Sequence, residues 1–170
     1  MSAWRHLRAI ALLPAMVTLV VPAVILLTTR DIHPGWRLRF PLSVLPFALA
    51  AALFAAGVAL VASTVRMFAT VGQGTLAPWD ETQRLVVRGV YRHVRNPMIS
   101  GVICILLAET ALFGSVALLC WSAVFFLLNA VYIPLSEEPG LERRFGEAYR
   151  EYQRHVPRWL PRRTPWTPEA

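Results

Sequence analysis

Four apolar runs constrain this chain more than any other feature. They extend from about Ala9 to Thr29, Ser43 to Phe68, Pro97 to Phe113 and Val116 to Leu135. A helix crosses the hydrocarbon core of a bilayer with roughly 17–25 apolar residues, and each run meets or approaches that length. The chain is 56% hydrophobic and only 16% charged, and its charges fall largely outside the runs. A soluble domain of this size has no use for so much apolar surface. The expectation is an all-α integral membrane protein with about four transmembrane helices, a single membrane domain over residues 1–170.

The charge outside the runs is one-sided. All 17 basic residues are arginines and the net charge is +7. Such a balance can signal nucleic acid, but these arginines flank apolar segments, so anionic lipid headgroups are the expected partner and nucleic acid is not. Cys104 and Cys120 both lie inside apolar runs, with no CxxC pair or Cys/His cluster, so neither a metal site nor a disulfide framework is expected. Arg5, His6 and Arg8 before the first run resemble the start of a signal peptide. The run continues to Thr29 without a small-x-small cleavage site, which favours a retained span.

Taken in order, the first run holds Pro14 and Pro22, which membrane helices tolerate at the expense of a kink. Residues 30–42 form a short polar loop in which Trp36 and Phe40 suit the interface and His33 has no assigned role. The second run is rich in alanine and contains Gly57, a composition that permits close helix packing. Residues 69–96 are the longest polar stretch between runs and carry Gly72-Gln73-Gly74-Thr75. Pro97 suits the first turn of the third run, and Glu109 lies inside that run, where a carboxylate needs a partner or a cavity. Gly114-Ser115 is a tight turn, so the third and fourth runs form a C-terminal helical hairpin. Beyond it Leu141, Phe145, Tyr149 and Tyr152 recur at three- and four-residue spacing, which predicts an amphipathic helix at the membrane interface. Pro157, Pro161, Pro165 and Pro168 prevent further helix, and residues 161–170 are expected to fray.

Four spans put both termini on one side. That side carries 14 arginines against three on the other, Arg30, Arg37 and Arg39. The positive-inside rule places the arginine-rich side in the cytoplasm, for a bacterial chain the inner face of the inner membrane. The same topology brings three polar elements together: the Gly72/Gly74 loop, the Tyr91–Pro97 segment and Glu137-Glu138 at the exit of the fourth span. A basic and an acidic cluster facing each other suit a zwitterion.

Gly89-Val90-Tyr91, then Arg95-Asn96-Pro97, then Glu137-Glu138 followed by Leu141, Phe145-Gly146, Tyr149 and Tyr152 form a combined pattern. It resembles that of the isoprenylcysteine carboxyl methyltransferase and phospholipid methyltransferase superfamily, over roughly residues 70–160. The first two spans carry none of it. The resemblance implies an integral membrane enzyme using S-adenosylmethionine, with residues 1–68 as two N-terminal spans and 69–160 as the cofactor-binding catalytic part. It makes Gly72, Gly74, Tyr91, His93, Asn96, Pro97, Glu137 and Glu138 cofactor candidates, with Asn96 standing where a histidine is usual. Arg95 matches an arginine near the methyl acceptor. Arg95 would orient a carboxylate acceptor, whereas Glu138 could take the proton of an amine acceptor. Two other classes stay open at this point: a non-catalytic lipid-binding module, and a reductase on a related membrane scaffold. The acceptor, lipid or lipophilic small molecule, is not specified by these residues, nor is the oligomeric state.

Overall fold

The computed structural model describes residues 14–67 and 85–167. Among them every regular element is a helix, with no strand. The helices are α1 (Met16–Thr29), α2 (Val44–Met67), α3 (Pro97–Phe113), α4 (Val116–Tyr132), α5 (Glu138–Phe145) and α6 (Glu147–His155). Helix α2 and the continuous stretch Val116–Phe145 are long and apolar enough to cross a bilayer, while α1 and α3 are apolar but shorter. Large side chains on all of the apolar helices face outward, Leu27 at 77% exposure and Leu128 at 60% among them. That pattern is the reverse of a water-soluble fold and fits a lipid surround.

The prolines leave their mark as expected. Pro134 has no N–H to give to the helix, and the backbone widens into a π-helical turn over Ile133–Glu137 that links α4 to α5. A similar turn, Met16–Val20, precedes Pro22 in α1.

Close packing of α2 on α3 rests on two glycines. A Cβ added to Gly57 would lie 2.7 Å from the Gly101 carbonyl, and one added to Gly101 would lie 2.9 Å from the Gly57 carbonyl. Neither position has room for a side chain, so the backbones themselves touch. Helices α3 and α4 reverse at Gly114, whose φ of +59° suits glycine. Near the turn the Thr110 and Ser122 hydroxyls meet at 3.3 Å. Helix α1 joins α4 through the Trp121 indole, which donates to the Val17 carbonyl at 3.2 Å.

The C-terminal part departs from expectation in two ways. The predicted single amphipathic helix is two short ones, broken at Gly146, whose φ of +57° and ψ of −132° exclude ordinary side chains. Its apolar face does not lie against lipid. Tyr149 and Tyr152 are buried with Val156 and Trp166 in a cluster that Leu85, Val87, Leu141 and Phe145 pack around. Period 3.6 identifies an apolar face but not what covers it. Likewise, residues 161–167 are not loose. Although no helix follows His155, the chain turns back and hydrogen-bonds to the segment before α3: Arg162 N–H to the His93 carbonyl at 3.0 Å and Trp166 N–H to the Arg92 carbonyl at 3.0 Å. Prolines forbid helix without forbidding extended chain that is satisfied by a neighbour.

Candidate functional site

The site forms where α3 begins and α5 begins. Pro97 occupies the first turn of α3 and is buried. Before it, residues Gly89–Arg92 make one 3₁₀ turn, with Tyr91 buried and Val94 almost completely so. The reversal at Gly114 returns the chain, so that Glu138, 43 residues from Arg95, arrives beside it. The Arg95 Nη1 donates to Glu138 Oε1 at 2.8 Å, with side-chain exposures of 10% and 8%.

A second arginine, which belongs to no motif in the sequence, completes the cluster. Arg158 donates from Nε to Glu138 Oε1 at 2.8 Å and from Nη2 to Oε2 at 2.7 Å. Gln153 adds a bond from Nε2 to Oε2 at 3.3 Å. A carboxylate offers about four lone-pair sites, and all four are taken. The cluster holds two guanidiniums against one carboxylate, an excess of one positive charge in a largely buried place. The hydrogen bonds to Glu138 push the Arg158 guanidinium further above its ordinary range, so it is charged at every accessible pH.

Two buried donors at the same point have no partner among the described residues: Arg95 Nε and Asn96 Nδ2. Buried N–H groups left unpaired are costly and rare in native proteins. Here they belong to consecutive residues at the entrance to α3, where Asn96 occupies the N-cap position without using its side chain to cap. Glu137, next to the saturated Glu138, is exposed.

The remaining candidates brace this point. The Tyr91 carbonyl accepts from the Tyr152 hydroxyl at 2.7 Å. The His93 ring donates from Nδ1 to the Arg162 carbonyl at 2.9 Å, reinforcing the backbone bond between the same two residues. Arg92 donates from Nε to the Trp166 carbonyl at 2.7 Å and from Nη2 to the Thr167 hydroxyl. The Arg95 N–H itself donates to the Pro157 carbonyl at 2.9 Å. Burial, and then the Glu138 carboxylate, push the Tyr149 phenol up to about 12. Burial raises Tyr91 and Tyr152 too, so none of the three loses a proton near neutrality. Gly72 and Gly74 lie outside the described residues. The structure therefore gathers Tyr91, His93, Arg95, Asn96, Pro97, Glu137 and Glu138, and adds Gln153 and Arg158. The only sequence signal for Arg158 is that the acidic pair needs cations, and the tail is rich in them.

A protein-family model for the phospholipid methyltransferases matches residues 45–148, more than half of the 170. The chain belongs to the phospholipid methyltransferase family. The family brings methyltransferase activity in general and a membrane setting, in keeping with the apolar helices. Its match takes in nearly all of α2, where the motif pattern had begun only near residue 70, so the second apolar helix is part of the family's unit. It ends at residue 148, short of Gln153 and Arg158. No match was found among curated proteins or among solved structures.

Proposed function

We propose that the protein is an S-adenosylmethionine-dependent methyltransferase that methylates a lipid or lipophilic small molecule at the membrane, on a carboxyl oxygen or an amine nitrogen. The observation that carries this reading is the pair of buried donors without a partner among the described residues, Arg95 Nε and Asn96 Nδ2, beside a cluster with an excess positive charge.

The residues fit the cofactor's amino-acid end. Asn96 Nδ2 is a donor that lacks an acceptor among the described residues, and the exposed Glu137 is a carboxylate within one residue of the cluster, suited to an ammonium. When bound, the cofactor supplies the electrophilic methyl group. The chain has then to bind, align and exclude water, which are the terms that dominate such a displacement. Arg95 presents Nε to an anionic group on the acceptor, and its planar guanidinium sets the acceptor's angle. Glu138, with all four lone pairs engaged, serves as the anchor of Arg95 rather than as a proton acceptor. That arrangement favours a carboxyl oxygen over an amine as the methylated atom.

The reading places α1–α4 across the bilayer, with the Arg95 cluster and both termini on the cytoplasmic side, from the fourteen-to-three division of arginines. Titration calorimetry with S-adenosylhomocysteine on the full chain in detergent tests it. Saturable binding is expected; no heat from folded protein overturns the reading in favour of a non-catalytic membrane module.

A further inference from the structure

Arg158 and Arg95 hold the same carboxylate in different ways. Arg158 meets it side-on, Nε and Nη2 on one oxygen each, the two-point fork that guanidinium and carboxylate prefer. Arg95 meets it end-on, through Nη1 alone, and its buried Nε is unpaired among the described residues. Left by itself with Glu138, Arg95 would relax into the fork and consume its own Nε. It cannot do so while Arg158 occupies both oxygens and Gln153 fills the last lone pair.

We propose that Arg158 is a positioning residue: by holding both oxygens of Glu138 it keeps the Nε edge of Arg95 open for an anionic group on the methyl acceptor. This rests on the reading that Arg95 works at the site of methyl transfer. Arg158 is itself placed by the tail, through the Pro157 carbonyl that accepts from Arg95 N–H and through the Arg162–His93 clip four residues on. The C-terminal segment beyond the family match thereby decides how an arginine inside that match is presented.

A role in stability alone would predict that removing Arg158 loosens the cluster and leaves the Arg95 Nε unpaired. The positioning role predicts the opposite, that Arg95 closes onto Glu138. The test is the Nε–Hε signal of Arg95 in ¹⁵N-arginine-labelled full-length protein in micelles, assigned by its loss in Arg95→Lys. In Arg158→Ala this signal should move to a hydrogen-bonded position and exchange with water at least about fivefold more slowly, the size of a coupling near 1 kcal/mol between residues that share a partner. The shift should vanish when Glu138→Gln is added. Arg158→Lys, which offers one point charge in place of a fork, should restore the signal part of the way, and it carries the test if Arg158→Ala does not fold. An Arg95 signal that stays put in a folded Arg158 variant overturns the proposal. S-adenosylhomocysteine binding to the unsubstituted chain is measured alongside: its absence sinks the methyl-transfer reading, while the arginine signal still decides the positioning role.

Discussion

The two ends of the α3–α4 pair solve the same problem with opposite results. At the Gly114 end the polar groups of the turn are met by the loop that follows α1. Asp31 Oδ2 accepts from the Ser115 hydroxyl at 3.0 Å and from Ala117 N–H at 2.9 Å, and Ser115 in turn caps Leu118 N–H at 3.2 Å. The His33 N–H donates to the carbonyl of Phe113, the last residue of α3, at 2.7 Å. At the Arg95 end two guanidiniums surround one carboxylate, and two buried donors have no partner among the described residues. A helix end that is fully capped is accounted for by folding. One that buries charge and leaves donors unpaired is not, and that surplus is the ground for proposing the site at this end.

The comparison can be broken most severely at the turn. Gly114→Ala puts a Cβ within 1.9 Å of the His33 carbonyl oxygen at a φ of +59°, and should cost at least about 3 kcal/mol or abolish folding. Thermal unfolding in detergent reads this, and a melting temperature within about 2 °C of the parent would show that the turn yields. At the other end, Arg95→Lys should leave the fold and S-adenosylhomocysteine affinity nearly intact yet lower methyl transfer about tenfold or more, equivalent to roughly 1.4 kcal/mol. Arg88→Lys, an exposed position before the 3₁₀ turn, is the control. Equal rates in both would reduce Arg95 to a headgroup anchor.

Smaller effects sharpen the contrast. Tyr152→Phe removes the hydrogen bond to the buried Tyr91 carbonyl and should lower stability by about 1 kcal/mol, visible in thermal unfolding; no change would mean the tail is held by its apolar cluster alone. Least of all, the Asp31 cap should respond to acid. Hydrogen bonds from Ala117 N–H and Ser115 lower the Asp31 pKa below its ordinary 3.8. A carboxyl depressed on folding stabilises above its unfolded pKa and loses that contribution as pH falls through the folded value. The stability gap between the parent and Asp31→Asn should therefore be constant near neutrality and narrow below about pH 3.8. A gap that does not change with pH would assign the cap to hydrogen-bond geometry without charge.

Much of this architecture is legible without coordinates, because it depends on local composition. Uncharged apolar runs, Pro97 at a helix start, Gly114 at a reversal and the crowding of arginines on one side are properties of adjacent residues, and each physical rule behind them acts over a few positions. The meeting of Arg95 with Glu138 was also within reach, since two antiparallel helices of similar length bring their outer ends together. What the tertiary structure alone decided is everything that depends on the tail. A segment with Pro157, Pro161 and Pro165 has no periodicity to read, yet it folds back on Arg92 and His93, buries Trp166 and delivers Arg158 to Glu138. In the same way, the spacing of Leu141, Phe145, Tyr149 and Tyr152 determined an apolar face, and only the packing decided that the face meets the protein's own chain instead of lipid. The reason is common to both: a side chain's pattern specifies that it must be buried or paired, but its partner is chosen by whichever distant segment the fold brings within reach.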